Sequence, residues 1–578
     1  MSLAYNTILG TDTANTLIGT SGADSIVALA GNDTIAGKTG ADIISGGDDN
    51  DSIYFTGQAK TSSVLGDTGN DTLSFNAKAI GTTAGGGKGT DSIRFTTTVE
   101  SAEIRGGTNN DTINLASKLT SSTIFGAGTG VNADDGSDSI IVAGAASAVL
   151  VQSNGGNDTI DFSSTLKGDS KARGGAGDDF ISGITGLTSG TVYGDLGKDT
   201  IELRGNGKNV TIQGGNQKDT TDDGTDSILV TGGVTDGFLQ SNAGNDTISF
   251  EATQRVTIKG GAGTDFIDNT DAFLTSTISG DKGNDTIAVT TNVSLSVVAV
   301  LAKDALIHGN AGNDSLFFRR RALTTTIRGG SGHDTLNVEL GTASNTNAKA
   351  AVFGDVGNDS IEISTSYKGA TIYGDNDKGA SGNDTLEITG TVDDSAIRAN
   401  SGDDLINGLG SITSSTISAG VGNDTIQLSV NTGNFIETVS GDNTVELSGN
   451  YTLSMTFVGG DGSDSLTFNG AVTAASIIGG GGNDSVSFAS SNTNPGVSVG
   501  TYYYGTYGGN DTLNFDGAQT SVVIAVASDF GSTGSYASNT LTLGSGNTVT
   551  MSGWGTQGFG SSGVSVVTVS QASIDALG

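Results

Sequence analysis

The stretch AGNDTISF at residues 243–250 has close variants elsewhere: GNDTLSF at 69–75, GNDTIDF at 156–162 and GNDSVSF at 482–488. Each sets a glycine, an amide, an acid and a hydroxyl ahead of two apolar residues separated by one polar residue. Aligned on the acid, the copies fall at Asp71, Asp91, Asp111, Asp138, Asp158, Asp179, Asp199, Asp226, Asp246, Asp265, Asp285, Asp314, Asp334, Asp359, Asp384, Asp404, Asp424, Asp464, Asp484 and Asp511. Most steps are about 20 residues. In SGDNTVEL (440–447), Asn443 takes the acid position. Nearer the N-terminus the beat is nine residues, through Asn15, Asp24, Asp33, Asp42 and Asp51.

After each acid the residues alternate: Thr247 out, Ile248 in, Ser249 out, Phe250 in, which is the period of a half-buried strand. A variable polar turn follows, then a second strand such as RVTIKGG (255–261), and glycines lead back to the next acid. Two strands and two turns make one coil, and one coil cannot bury its own Ile and Phe. Coils stacked about 4.8 Å apart, each strand pairing with its counterpart in the next coil, bury them in columns. The pattern therefore predicts an all-β chain, a parallel β-solenoid or β-roll of about 20 residues per coil. Longer steps, as from Asp111 to Asp138, keep the phase, so the extra residues belong in loops.

Composition agrees. The chain has 578 residues with 93 Gly, 1 Pro, no Cys and 34% hydrophobic residues, so the core is lean and turn-rich. Acids outnumber bases 62 to 26, a net charge of -36 that repels nucleic acid and anionic lipid and calls for cations. Without cysteine there are no disulfides and no thiolate metal sites. No apolar run is long enough to span a membrane, and the opening MSLAYNTILGTDTANTLIG lacks the basic-then-apolar pattern of a usual secretory signal.

In GGAGTD (260–265) or GGSGHD (329–334) the glycines let main-chain carbonyls converge and the acid adds a carboxylate. Such oxygen-rich turns suit Ca2+, which takes six to eight hard oxygen ligands. One turn supplies too few, so each ion is expected to be shared with the next coil. Ions on the order of 20 in number would contribute roughly +40, near the deficit of the chain. Asp67, Asp195, Asp281 and Asp355 put a second acid into the turns GDTGND, GDLGKD, GDKGND and GDVGND. The enlarged turns NADDGSD (Asp134, Asp135) and TTDDGTD (Asp222, Asp223) suggest an additional or altered site. The competing reading, that Asp is only a turn former, does not require glycines at fixed offsets. It carries most weight for Asn443, Asp24 and Asp42.

At these residues the chain resembles the repeats-in-toxin, or haemolysin-type, calcium-binding proteins with their G-G-x-G-x-D-x-U-x nonapeptide. The likeness is direct from Asn15 to Asp51 and relaxed through Asp511. Family coils carry the motif in both turns. Here, past Asp51, it recurs once per coil, and the opposite turns NAKAIGTTA, SSTLKGDSK and EATQRV lack it, so calcium is expected in the turns of one edge only. The resemblance implies bound Ca2+, a right-handed coil and a secreted bacterial protein that folds on meeting external calcium. It divides the chain into nonapeptide coils at 1–55, a main calcium-binding solenoid at 56–515, and a β cap with a secretion signal at 516–578.

Catalytic signatures are sparse. His308 and His333 are too few for a zinc-protease motif, and no G-x-S-x-G turn occurs. The acid pairs Asp178–Asp179 and Asp403–Asp404 fall in register with the repeat. FFRRRAL (317–323) reads as a solvated turn or a clamp for an anionic glycan. GTYYYGTYGGND (500–511) cannot turn Tyr502, Tyr503 and Tyr504 all inward, which suggests a contact surface. The expected function is structural rather than enzymatic: a calcium-stiffened protein that assembles with itself at the cell surface as a surface layer, sheath or filament, the family's surface-layer and fibrillar members resembling it best. The alternatives are an adhesin for cell-surface polysaccharide, or a polysaccharide-modifying enzyme on a solenoid, as in alginate epimerases. No nucleic-acid partner is expected.

Overall fold

The computed structural model describes residues 5–128, 136–215, 224–290, 301–319, 321–339, 349–376, 382–449, 455–470, 472, 474–488, 498–504, 509–515, 521–527, 536–537, 540–542, 548–552 and 564–577. The fold is a parallel β-solenoid of about 20 residues per coil. It divides into two compact units, Met1–Asp285 and Thr286–Gly578.

In the first unit a regular coil is built from Thr83–Lys88, Ser92–Phe95 and Val99–Glu100. These pair in parallel with Glu103–Thr108, Thr112–Leu115 and Leu119–Thr120 of the next coil. The sequence suggests two strands per coil; the structure has three. The third is two residues long and lies in what reads as a variable turn. It forms because one side chain per coil, Ala79, Val99, Leu119 or Ala146, still points inward and is fully buried. A single inward residue leaves no period to detect.

Three further inward columns complete the core. Ile53, Leu73, Ile93, Ile113 and Ile140 form one, Phe55, Phe75, Phe95, Leu115 and Val142 the second, and Val64, Ala84, Ile104, Ile124 and Val151 the third; all are at most 1% exposed. Each large apolar side chain so buried contributes roughly 1.5–3 kcal/mol. The Phe rings stack face to face at 5.1 Å (Phe55–Phe75) and 4.2 Å (Phe75–Phe95) because in-register coils set identical side chains one above another. The long steps stay in loops: Thr112 pairs with Ser139 and Ile113 with Ile140 across the insertion. At the N-terminal end the coil is 18 residues, with Asn6 over Asp24 and Thr16 over Thr34.

The second unit repeats the plan. Ala351–Val356, Ser360–Ile363 and Tyr367–Lys368 pair in parallel with Thr371–Asp375, Thr385–Ile388 and Val392–Asp393. Within the segment expected to be a β cap, Val522 pairs in parallel with Val564, and Thr540–Thr542 runs antiparallel to Thr548–Ser552. A short helix, Gln571–Asp575, capped by the Ser570 hydroxyl, is an element the strand pattern does not predict. Its Ile574 packs on Ile478 together with Val458, Tyr503, Val569 and Leu577. The Tyr-rich segment thus differs from expectation. Tyr502 and Tyr504 are buried, and Tyr503, the outward one, is half-buried against this cluster. Of FFRRRAL, Phe318 joins the core and Arg319 is exposed; Arg320 lies outside the described residues. Among the described residues no helix is long and apolar enough to cross a membrane.

Candidate metal centre

The repeated acids form one continuous buried ladder in each unit. The N–H of Asp71 donates to Oδ1 of Asp91 at 2.7 Å, Asp91 donates likewise to Asp111, and Asp111 to Asp138 across the enlarged turn. The pattern begins at Asn15, which donates to Asp33, and Asp33 donates to Asp51. In the second unit it runs from Asp314 donating to Asp334 through to Asp484 donating to Asp511. Every acid of the ladder is at most 3% exposed. The second oxygen is another matter. Oδ2 of Asp51, Asp71, Asp91, Asp179, Asp265, Asp334, Asp359, Asp384, Asp404 and Asp484 is buried with no hydrogen-bond partner.

The glycines explain where that oxygen sits. A Cβ built on Gly66 would collide with Oδ2 of Asp71 and the carbonyl oxygen of Gly86, one coil along. Gly46, Gly174, Gly329 and Gly354 each face the same pair of groups, an Asp Oδ2 and the next coil's carbonyl. The missing side chain leaves a cradle where a carboxylate oxygen and a carbonyl oxygen converge. Both are negative ends of dipoles or charges, and among the described residues no hydrogen-bond donor meets the Oδ2 atoms of Asp51, Asp71, Asp179, Asp334 and Asp359. Burial, reinforced in places by the carboxylates above and below, pushes the acids up: Asp71 and Asp91 to about 6, Asp359 and Asp404 to about 7, Asp265 and Asp484 to about 8, Asp179 to about 9. Buried charge without a partner is costly, so a cation belongs here. Among the described residues no three His, Cys, Asp or Glu side chains gather to hold a metal by themselves, so further ligands must come from carbonyls. That mixture of oxygens fits Ca2+.

The two edges of the solenoid differ as expected. On the second edge, Asn6 bonds to Asp24 and the Asp24 N–H to Asp42, but the Asp42 N–H donates to the Ser62 hydroxyl. From there hydroxyls keep the N–H bonds without adding charge: Ala102 to Ser122, Val149 to Ser170, Val256 to Ser276. Asn443 interrupts the main ladder without breaking it. It accepts from the Asp424 N–H, and its own Nδ2 donates to Oδ1 of Asp464 and the carbonyl of Gly441, so an amide fills the place of a cation. At the C-terminal end the Tyr502 hydroxyl donates to Oδ2 of Asp511 at 2.7 Å, the kind of donor that Oδ2 of Asp404 and Asp484 lacks.

Residues just before the acids build, in many coils, a second, exposed ladder of opposite sense. The Asn70 N–H donates back to Oδ1 of Asn50, and the Thr90 N–H to Asn70. Asp178 and Asp403 belong to it, which separates their role from that of Asp179 and Asp404. So does His333, whose Nδ1 accepts from the Asn358 N–H at 2.9 Å, placing its proton on Nε2. This explains the amide of GND, which the sequence displays without revealing its purpose.

The second acids take left-handed backbone at the turn, with φ of 75° at Asp67, 84° at Asp195, 77° at Asp281 and 82° at Asp355. Each meets a side chain of the preceding coil: Ser45 with Asp67, Arg173 with Asp195, Lys259 with Asp281, Arg328 with Asp355. Their carboxylates therefore face these partners on the outer side of the turn. Asp134, Asp135, Asp222 and Asp223 lie outside the described residues.

This geometry defines a calcium-binding β-roll. The model of the RTX calcium-binding nonapeptide repeat (4 copies) matches residues 9–42, 28–59 and 326–342, so the chain carries repeats of this kind in those stretches. No curated protein matches it. The first two matched stretches span the coils that carry acids on both edges, where the nonapeptide is complete.

Proposed function

We propose that this is a secreted, calcium-stabilised structural protein that assembles with copies of itself at the cell surface, as a layer, sheath or filament. The observation that carries the reading is the ladder of buried Asp carboxylates with unmatched Oδ2 atoms, which makes ion binding part of folding rather than an accessory to it. Such a chain stays loose where calcium is scarce and folds where it is plentiful, which suits export before folding. Repeats occupy nearly the whole sequence, which favours a scaffold over an enzyme. On the outer face of the second unit, Phe353 and Tyr373 stack at 5.2 Å between the guanidiniums of Arg328 and Arg398. Both ring faces are thereby covered, which weakens the alternative of a sugar-stacking adhesin. Light scattering and electron microscopy of the full chain in 10 mM calcium test the assembly: ordered sheets or filaments that dissolve in EGTA are expected, and a monodisperse monomer would overturn the proposal.

A further inference from the structure

Asp375 stands in register with Asp355, which places it in the outer acid position of the turn. The four other acids at this position each meet a side chain of the coil before: Arg173, Lys259 and Arg328 supply cations, Ser45 a hydroxyl. The residue that would serve Asp375 is the one in register with Tyr373, two positions earlier, and that is Phe353. A phenyl ring cannot neutralise a carboxylate. Asp375 is nonetheless 0% exposed, and both Oδ1 and Oδ2 lack a hydrogen-bond partner. The ladder acid of the same turn, Asp384, has its own unpartnered Oδ2 packed over Gly374, the residue next to Asp375.

We propose that Asp375 holds a divalent cation, calcium in the secreted protein, that takes the place the Arg and Lys side chains fill beside the equivalent acids. This is an acid outside the repeated row, and its ion is an addition to that row. Burial, then the carboxylate of Asp404, push Asp375 up to about 7, while the N–H groups of Gly382 and Ser401 oppose the rise without reaching hydrogen-bond geometry. A groove of about 450 Å3 that Arg328, Asp355 and Asn376 help to line lies beside the turn. Asp375 is the carboxylate ligand of the ion, with carbonyls and water completing the shell.

The proposal rests on the calcium reading of the row, and the test separates the two. Crystals of the full chain grown in calcium and soaked in terbium are examined for anomalous peaks. A peak touching the Asp375 carboxylate is expected, with none touching Asp195 or Asp355, whose arginines already serve them. Asp375→Asn should lose that peak alone while those at Asp334 and Asp359 remain, and equilibrium dialysis should count one ion fewer per chain. Phe353→Arg, which restores the arrangement seen at Asp195 and Asp355, should lose the same peak. Filled sites along the row beside a bare Asp375, or a peak that survives Asp375→Asn, overturns the proposal. Bare sites at Asp334 and Asp359 as well would overturn the calcium row itself.

Discussion

Three neighbouring glycines, Gly85, Gly86 and Gly87, show how finely the repeat assigns roles. A Cβ on Gly85 would meet only the flexible end of Leu65, at 3.1 Å. On Gly86 it would meet the carboxylate of Asp91, and Gly87 holds φ at 116°. Gly85→Ala should accordingly change stability by less than about 0.5 kcal/mol. Gly86→Ala should abolish the ion of that coil and lower calcium stoichiometry. Gly87→Ala should cost at least about 1 kcal/mol through backbone strain, with or without calcium. Chemical denaturation in calcium and in EGTA distinguishes the three. Asn443 gives the reverse experiment. Asn443→Asp removes the internal donor and restores the orphan oxygen, so calcium dialysis should find one more ion, and the gap between the melting temperatures in calcium and in EGTA should widen.

At the scale of strands and turns, Ile93 sits in a column with Leu73 below and Ile113 above, whereas its neighbour Ser92 faces solvent. Ile93→Ala should cost about 2–5 kcal/mol and Ser92→Ala nearly nothing, as measured by urea unfolding in saturating calcium. How much of this was legible depends on how many residues carry each signal. The alternation around Ile93 and the fixed offset of glycine to acid repeat in every coil, so the solenoid, its register and the ladder from Asp33 to Asp511 can be read directly. The strand Ala79–Ile80 could not be, because it commits a single inward side chain. The exchange of Asp for Ser after Asp42 was visible as a lost motif, but that the Ser62 hydroxyl takes over the same N–H was not. Asp375 escaped notice because its turn is lengthened, which breaks the G-D-x-G-x-D pattern that marks Asp67, Asp195, Asp281 and Asp355. Its lack of a partner depends on Phe353, 22 positions away in sequence. Alternation shows that Tyr502, Tyr503 and Tyr504 cannot all turn inward, but that the Tyr502 hydroxyl bonds to Asp511 leaves no trace in a hydropathy pattern.

For each folded unit, the raised acids link stability to both protons and calcium. An acid whose ordinary value is 3.8 and whose folded value lies between about 6 and about 9 binds more protons folded than unfolded in that interval. Its contribution is present at low pH and is lost as pH rises through the folded value. Stripped of calcium, the protein should therefore be more stable near pH 5 than at pH 8, a reversal of ordinary acid denaturation, and thermal melts in EGTA across that range check it. Calcium binding at pH 7 should displace protons, since ion and proton compete for the same Oδ2 atoms. The net charge of -36 works in the same direction, favouring the ion-loaded state wherever the acids are ionised. The most direct measurement is a calcium titration of EGTA-stripped protein at pH 7.5, followed together by far-ultraviolet circular dichroism and proton release. The account predicts a disordered spectrum that converts cooperatively to β-structure as calcium rises, with protons released over the same range and full reversal by EGTA. A chelated protein that keeps its β-spectrum and its melting temperature, and that takes up calcium without releasing protons, would contradict it.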